Sequence, residues 1–303
     1  MTLPRGVRVF ERGWLSANNV LFEGAEHTAL VDSGYCTHAQ QTVALVGQAL
    51  GARPLDLLLN THLHSDHCGG NAALQATYPS LRTLIPPGEA DAVRRWDEVA
   101  LSYQPTGQQC PRFGFHGLLP PGSAVRLGFA DWEVHAAPGH DPHSVILFEP
   151  ASRTLVSADA LWREGFGVVF QELDGERAFD AVAATLDLIE QLAPLTVIPG
   201  HGSVFTQVTA ALASARQRLD AYVREPVRHA RHAAKVLVKY KLLELQSVQN
   251  PLFERWLLAT PYFQRVHARY FADQPIGLWL DGLVGQLVAS GAAARDGDQL
   301  ENR

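Results

Sequence analysis

Cysteine is scarce in this chain of 303 residues: Cys36, Cys68 and Cys110 form an odd and sparse set that cannot build a disulfide framework. No uncharged apolar run approaches the roughly 20 residues that a membrane helix needs. The start, Met1-Thr2-Leu3-Pro4-Arg5-Gly6, has no apolar stretch of the signal-peptide kind. A cytoplasmic protein without a membrane partner is the expectation. Basic charge is not in excess either. The 25 Lys and Arg stand against 31 Asp and Glu, a net of -6, which argues against a protein that coats nucleic acid while leaving room for a local basic surface. Core material, by contrast, is plentiful. At 47% hydrophobic and 18% charged, the chain can bury one large domain and still carry an appendage.

The densest chemistry lies in His62-Leu63-His64-Ser65-Asp66-His67, directly after an apolar run that reads as a buried strand. Imidazole nitrogen and carboxylate oxygen are the donors that divalent metals prefer, and side chains of this kind cannot all enter a core unpaired. Further donors follow at wide spacing, each on a short turn after an apolar segment: His140 after Pro138-Gly139, Asp159 after Ser157-Ala158, and His201 between Pro199-Gly200 and Gly202. Proline and glycine beside the histidines make rigid loops of close approach, which hold the rings out at strand ends. Five histidines and two aspartates can fill two metal positions. Cys68, next to His67, is expected to be a small buried thiol behind the ligand loop.

In this order the motifs resemble those of the metallo-beta-lactamase superfamily, over roughly residues 5 to 210. The resemblance implies a four-layer αββα sandwich, an α+β fold, as a catalytic domain over 1–210. It also implies one metal on His62, His64 and His140, a second on Asp66, His67 and His201, and Asp159 bridging the two, so that all seven serve catalysis. Zinc is the ion most in keeping, with iron and manganese also suited to these donors. A hydroxide between two such ions forms near neutral pH, because metal binding lowers the pKa of water from about 15.7 to about 7, and no serine or cysteine nucleophile is then required. Asp32, in Val31-Asp32-Ser33-Gly34, is expected to orient a ligand histidine through its other ring nitrogen. One departure is visible: Ala158 stands where many relatives carry glycine.

Apolar alternation and short apolar runs predict strands near Val7–Phe10, Asn19–Phe22, Thr28–Asp32, Leu55–Asn60, Thr83–Pro86, Ala124–Phe129, Trp132–Ala136, Ser144–Phe148, Thr154–Ser157 and Leu195–Ile198. Helices are predicted over Asn71–Thr77, Pro87–Val99 and Arg177–Gln191. From Thr209 to about Leu245 the chain is helix-prone and basic, broken by Pro226, and an aromatic tail runs from Trp256 to Trp279 before an Asp296-Gly297-Asp298 turn. The segment 211–303 therefore reads as a mostly helical, winged-helix-like module. It either closes over the site or braces the sandwich, and its aromatic stripe is expected to be core.

Substrate clues sit beside the ligands. Where glutathione-thioester hydrolases and persulfide dioxygenases carry Gly-Cys-Gly-Arg after their aspartate, this chain has Gly165-Phe166-Gly167-Val168. Trp162 and Phe166 are then expected to form an apolar wall for an acyl chain. The segment from Glu98 to Leu119 is expected to be a lid contributing Tyr103 and His116, with His143 and Arg163 as further substrate contacts. His27, His38, His135, His229, His232 and His267 have no motif around them and read as structural. The leading reading is a dinuclear metal hydrolase of a small-molecule acyl substrate, whether thioester, ester or lactone. The alternatives are a metal-dependent phosphodiesterase or endoribonuclease, with nucleic acid as partner, a non-catalytic metal-bound scaffold, and iron-dependent oxidation.

Overall fold

A computed structural model describes residues 3–303. Strands β1 (Val7–Phe10), β2 (Asn19–Glu23), β3 (Thr28–Val31), β4 (Leu57–Leu59), β5 (Arg82–Ile85) and β6 (Gly117–Leu118) lie in that order in one sheet. Its first three strands are antiparallel, and β3 to β6 run parallel. A second sheet holds β7 (Ala124–Leu127), β8 (Ala130–Ala136), β9 (Val145–Glu149), β10 (Thr154–Ala158) and β11 (Thr196–Pro199), with β11 parallel to β10 at its edge.

Side-chain alternation along these strands builds the layers. Val20, Phe22, Val31 and Leu59 of the first sheet meet Trp132, Val134, Leu147, Val156 and Ile198 of the second in one buried cluster between the sheets. The opposite faces are apolar as well, so each takes helices. Leu21, Leu30 and Leu58 pack against Val46, Leu50 and Leu74 of helices Ala39–Leu50 and Asn71–Thr77. Ile146, Phe148, Leu155 and Val197 pack against Val182, Leu186 and Leu212 of helices Phe179–Leu192 and Val208–Arg224. The result is the αββα sandwich, with every strand that the sequence predicts present and its ends moved by up to two residues.

Two helical readings change. Helix Ala39–Leu50 is not predicted, because it starts without a capping side chain and carries glutamines and Gly47 among its apolar positions. The predicted helix over Pro87–Val99 is shorter: a 3₁₀ turn at Pro87–Glu89 leads into Ala90–Arg95, which Trp96 ends in a left-handed conformation at φ 57°.

Helix Val208–Arg224 runs across the expected boundary at 210 and belongs to the outer layer of the sandwich. Helix Pro226–Leu245 opens a different core, in which Leu237 and Val238 meet Phe253, Tyr262, Phe263, Trp279 and Leu283. We propose that the appendage begins at Pro226. Its sheet, β12 (Ser247–Gln249), β13 (Ala293–Asp296) and β14 (Gln299–Asn302), has the order β12-β14-β13 and is antiparallel throughout, a small helical module with a wing hairpin. Among the described residues, no helix is long and apolar enough to cross a membrane.

A nearly buried ion pair within helix Pro226–Leu245 holds the carboxylate through which the appendage meets the sandwich. Lys241 Nζ lies 2.7 Å from Glu244 Oε1, both nearly buried, and the Tyr35 hydroxyl donates to Glu244 Oε2 at 3.0 Å. Gln109 Nε2 donates to the same carboxylate at 3.2 Å. Substituting Glu244 by alanine leaves Lys241 without its partner, and breaking a buried pair costs about 3–5 kcal/mol. Denaturant unfolding is expected to show a loss of that size; an unchanged midpoint would show that the joint carries no stability.

Candidate metal centre

All the candidate ligands sit at strand ends along one edge of the sandwich. Asp32 follows β3, His62 lies three residues beyond β4, His140 is on the turn between β8 and β9, Asp159 follows β10 and His201 follows β11. His67 and Asp66 come from the short helix Ser65–Cys68, which folds back over the strand ends. The structure brings His62, His64 and His140 together, and likewise His62, His67 and Asp159, and Asp66, His67 and His201. In each group the donor atoms lie within 4.8 Å of one another.

The hydrogen bonds decide which ring nitrogens face the centre. His67 Nδ1 is 2.7 Å from Asp32 Oδ2, and since a carboxylate only accepts, the ring donates there and turns Nε2 inward. His140 Nδ1 donates to the Val168 carbonyl at 2.5 Å, which leaves Nε2 with its lone pair. Thr61 donates its hydroxyl to Asp32 Oδ2 at 2.8 Å and so accepts from His62 Nδ1 at 3.1 Å. His62 Nε2 and His67 Nε2 are buried without a hydrogen-bond partner among the described residues, and His64 Nδ1 faces His140 Nε2 at 2.8 Å. Buried polar atoms are normally satisfied. Ring nitrogens left without partners, converging beside the carboxylates of Asp66 and Asp159, fit divalent cations.

Charge follows the same plan. Burial, with His67, His64 and His140 close by, pushes His62 well below the ordinary histidine range, and burial followed by His140 lowers His64 to about 4. Both are neutral at neutral pH, as ligands must be. His67 is opposite: burial disfavours its charged form, yet Asp32 and then Asp159 hold it well above that range. Asp159 resists burial in the same way, because His67 and His201 keep it ionised. A cation entering the site takes over the role of the His67 proton.

Close approach explains the glycines. A Cβ on Gly200 would stand 2.1 Å from Asp159 Oδ1, and one on Gly167 2.3 Å from His140 Nδ1. Ala158 adopts φ 45°, a region glycine enters without strain, and a register shift in β10 between Val156 and Ala158 accompanies it. The alanine still delivers Asp159 to the centre.

Beside the ligands lies a cavity of about 680 Å³. Trp162, Arg163 and Phe166 line it, and the Trp162 indole donates to Asp159 Oδ1 at 3.1 Å. Three expected substrate contacts lie elsewhere. Tyr103 is buried and donates to the Leu63 carbonyl at 2.9 Å, supporting the ligand loop from behind, in contact with Cys68. His116 accepts from Thr83 N at 3.0 Å in a separate surface groove, because its segment adds to the far edge of the first sheet. His143 packs on Gly88, outside the cavity lining. The aromatics of the expected lid turn into their own cluster with Trp96 and Val93, and only Ser102, Thr106 and Gln108 of that segment reach the cavity.

The structure adds residues that the sequence reading missed. Trp14 stacks on His201, with ring centroids 5.4 Å apart and planes 9° apart. Phe170 sets its ring 5.4 Å from His64. Asp141 Oδ2 stands 3.9 Å from His64 Nε2, and its place directly after His140 is a signal that could have found it. His232, read as structural, lines the cavity, as do Arg218 and Tyr240. No local pattern marks these last three, because helix packing alone brings them there.

A family model described as the metallo-beta-lactamase superfamily matches residues 12–201. The chain belongs to the metallo-beta-lactamase superfamily. A hydroxyacylglutathione hydrolase from Anaeromyxobacter dehalogenans is 29% identical over 245 residues, covering 80% of this chain and 84% of that protein. Several other hydroxyacylglutathione hydrolases match over only about half of their own length. A beta-lactamase domain protein from Burkholderia ambifaria shares the fold over 100% of this chain and 94% of its own, at 20% identity and a TM-score of 0.62. The protein TTHA1623, solved in a di-iron-bound form, is 26% identical and covers 69% of this chain and 98% of its own, at a TM-score of 0.55. This metallo-beta-lactamase superfamily member is thus a hydrolase with a metal centre.

Asp32 is the partner to test first. Partners of metal-ligating histidines are worth 10–100-fold in metal affinity, so Asp32→Ala is expected to lose about that much, read by metal titration against a chelator dye. Unchanged affinity in a folded variant would show that His67 needs no orienting group.

Proposed function

We propose that this chain hydrolyses acyl thioesters, and related esters or lactones, at a centre formed by His62, His64, Asp66, His67, His140, Asp159 and His201. The observation that carries the reading is the cavity of about 680 Å³, in which ligand side chains form one flank and Trp14, Trp162, Phe166 and Phe170 line the space beside them. A space of that order suits a small molecule with an apolar portion. The hydroxyacylglutathione hydrolase relatives support acyl hydrolysis. Gly165-Phe166-Gly167-Val168 supports an apolar acyl group in place of a polar peptide-like thiol beside the metals.

Two divalent ions held there would supply a deprotonated water near neutral pH and polarise the acyl oxygen. The residues around them position and exclude. Trp162 fixes Asp159 through its indole N–H, the Val168 carbonyl fixes the His140 ring, and Phe170 shields the edges of His64 and His140. Trp14, 59% exposed, offers an aromatic face at the mouth. Zinc fits these donors, and so do iron and manganese; the di-iron form of TTHA1623 supports iron as a candidate beside zinc.

The RNA reading loses ground on helices Val208–Arg224 and Pro226–Leu245, whose basic residues are partly spent within the protein. Arg216 pairs with Asp187 and Glu190, Lys241 pairs with Glu244, and Lys239 Nζ donates to the carbonyls of Ala292 and Arg303 at 2.6 and 2.8 Å.

Metal-replete protein assayed in parallel on a long-chain acyl thioester and on single-stranded RNA tests the proposal, with Asp66→Ala as the blank. Thioester turnover should fall by more than about a hundredfold in the variant, since even the outer partners of metal ligands are worth 10–100-fold. RNA cleavage that disappears in the variant, without thioester turnover, would overturn the reading.

A further inference from the structure

The cavity wall made by helices Val208–Arg224 and Pro226–Leu245 is basic, and little acid answers it. Arg218 on the first and His232 on the second both line the cavity. Among the described residues neither forms an ion pair or a hydrogen bond. Arg216, one half-turn away, is by contrast held by Asp187 at 2.6 Å and Glu190 at 2.9 Å. Arginine in a half-buried wall is ordinarily paired, since its desolvation is otherwise uncompensated.

The guanidinium is also built into place. A Cβ on Gly165 would stand 2.6 Å from Arg218 Cζ, so that glycine is what lets the head group lie against the turn that follows Asp159. That turn is closed by Trp162 N donating to the Gly165 carbonyl at 2.7 Å, and it carries Arg163, a second guanidinium on the cavity lining. Among the described residues, Glu164 is the only acid lining the cavity apart from Asp66 and Asp159, and it is exposed. Burial, then Arg218 and Lys235, lower His232 to about 4, so its neutral ring offers one N–H donor beside the cation.

We propose that Arg218, with His232 as a donor and Arg163 at the rim, binds an anionic group on the substrate, a carboxylate or phosphate, so that the enzyme selects anionic acyl thioesters over neutral ones. This rests on the acyl-hydrolase reading and names its substrate class. A planar guanidinium binds either anion through two parallel N–H donors, and no metal ligand is needed for it. The anion sits on the acyl group or on the thiol portion, and the two cases separate by experiment.

Metal-loaded wild type and Arg218→Met are compared on pentanoyl and glutaryl thioesters of N-acetylcysteamine, and on pentanoyl thioesters of N-acetylcysteamine and mercaptopropionate. The first pair places the charge on the acyl group, the second on the thiol. In one of the pairs, the wild-type preference in kcat/KM for the anionic substrate is expected to fall about tenfold or more in the variant, the worth of a charge-assisted hydrogen bond. Preferences unchanged in both pairs would overturn the proposal. If wild type turns over no thioester, the acyl-hydrolase reading fails separately, and the anion site is read by thermal protection. A Tm rise with glutarate or inorganic phosphate in wild type that is lost in Arg218→Met upholds it; protection equal in both proteins, or absent from both, overturns it.

Discussion

Asp32 accepts from the His67 ring at 2.7 Å, from the Thr61 hydroxyl at 2.8 Å and from Thr61 N at 2.9 Å, so one buried side chain at the end of β3 fixes both the exit of β4 and the ligand helix. Its backbone takes φ 58°, a conformation that a short polar side chain tolerates and a β-branched one does not. The interaction propagates. Thr61, once committed to Asp32, can only accept from His62, which aims a second ring, and Ser33 N donates to the His67 carbonyl at 2.7 Å, which clamps the helix from its far side. A network of this kind is costly to bury unless every member is satisfied. The inward nitrogens it leaves over are those a cation would satisfy.

How much of this was legible in the sequence depends on whether the signal was local. The candidate ligand set is local: His62 to His67 and the two Pro-Gly-His turns carry their own signal, because proline and glycine restrict the backbone where the rings must project. Buried strands are legible for a similar reason, since β9 and β10 are short, largely apolar runs, buried on both faces and flanked by turns. Helix Ala39–Leu50 is less so, because its buried positions are spread among glutamines and a glycine. The substrate residues are the least legible. Tyr103 and His116 have the right chemistry on a segment that skirts the site, but which face of that segment turns inward is settled by its packing on neighbouring Trp96 and on Leu63, 40 residues before Tyr103.

The appendage combines the two roles that the sequence left open. Phe170 bridges its core to the metal centre, with its ring 5.6 Å from Tyr262 on one side and 5.4 Å from His64 on the other. Helix Pro226–Leu245 lays Tyr240 across Tyr35, ring to ring at 5.2 Å, and contributes Val236, Leu237 and Tyr240 to the cavity. Bracing and lining are therefore one act, because the face of the helix that packs on the sandwich continues into the face that borders the site. Residues placed by such packing move little when substrate enters, which favours a pre-formed pocket over a closing lid.

A metal centre shared by a whole superfamily cannot by itself choose a substrate, so selection falls to the walls, and here one short segment serves both tasks. Asp159 to Phe170 supplies a proposed metal ligand, the indole that holds it, the carbonyl that aims His140 and two aromatic walls. Its glycines are constrained in different ways: Gly167 lies against the His140 ring, too close for a side chain, and Gly165 takes φ 118°, a conformation that favours glycine. The positions between them are different. Arg163, Glu164, Phe166 and Val168 line the cavity without contributing side-chain ligands. Within this segment, change of specificity falls to the residues that alternate with the glycines, and Phe166 and Val168, occupying the Cys and Arg positions of the glutathione-type signature, contribute no side-chain ligand.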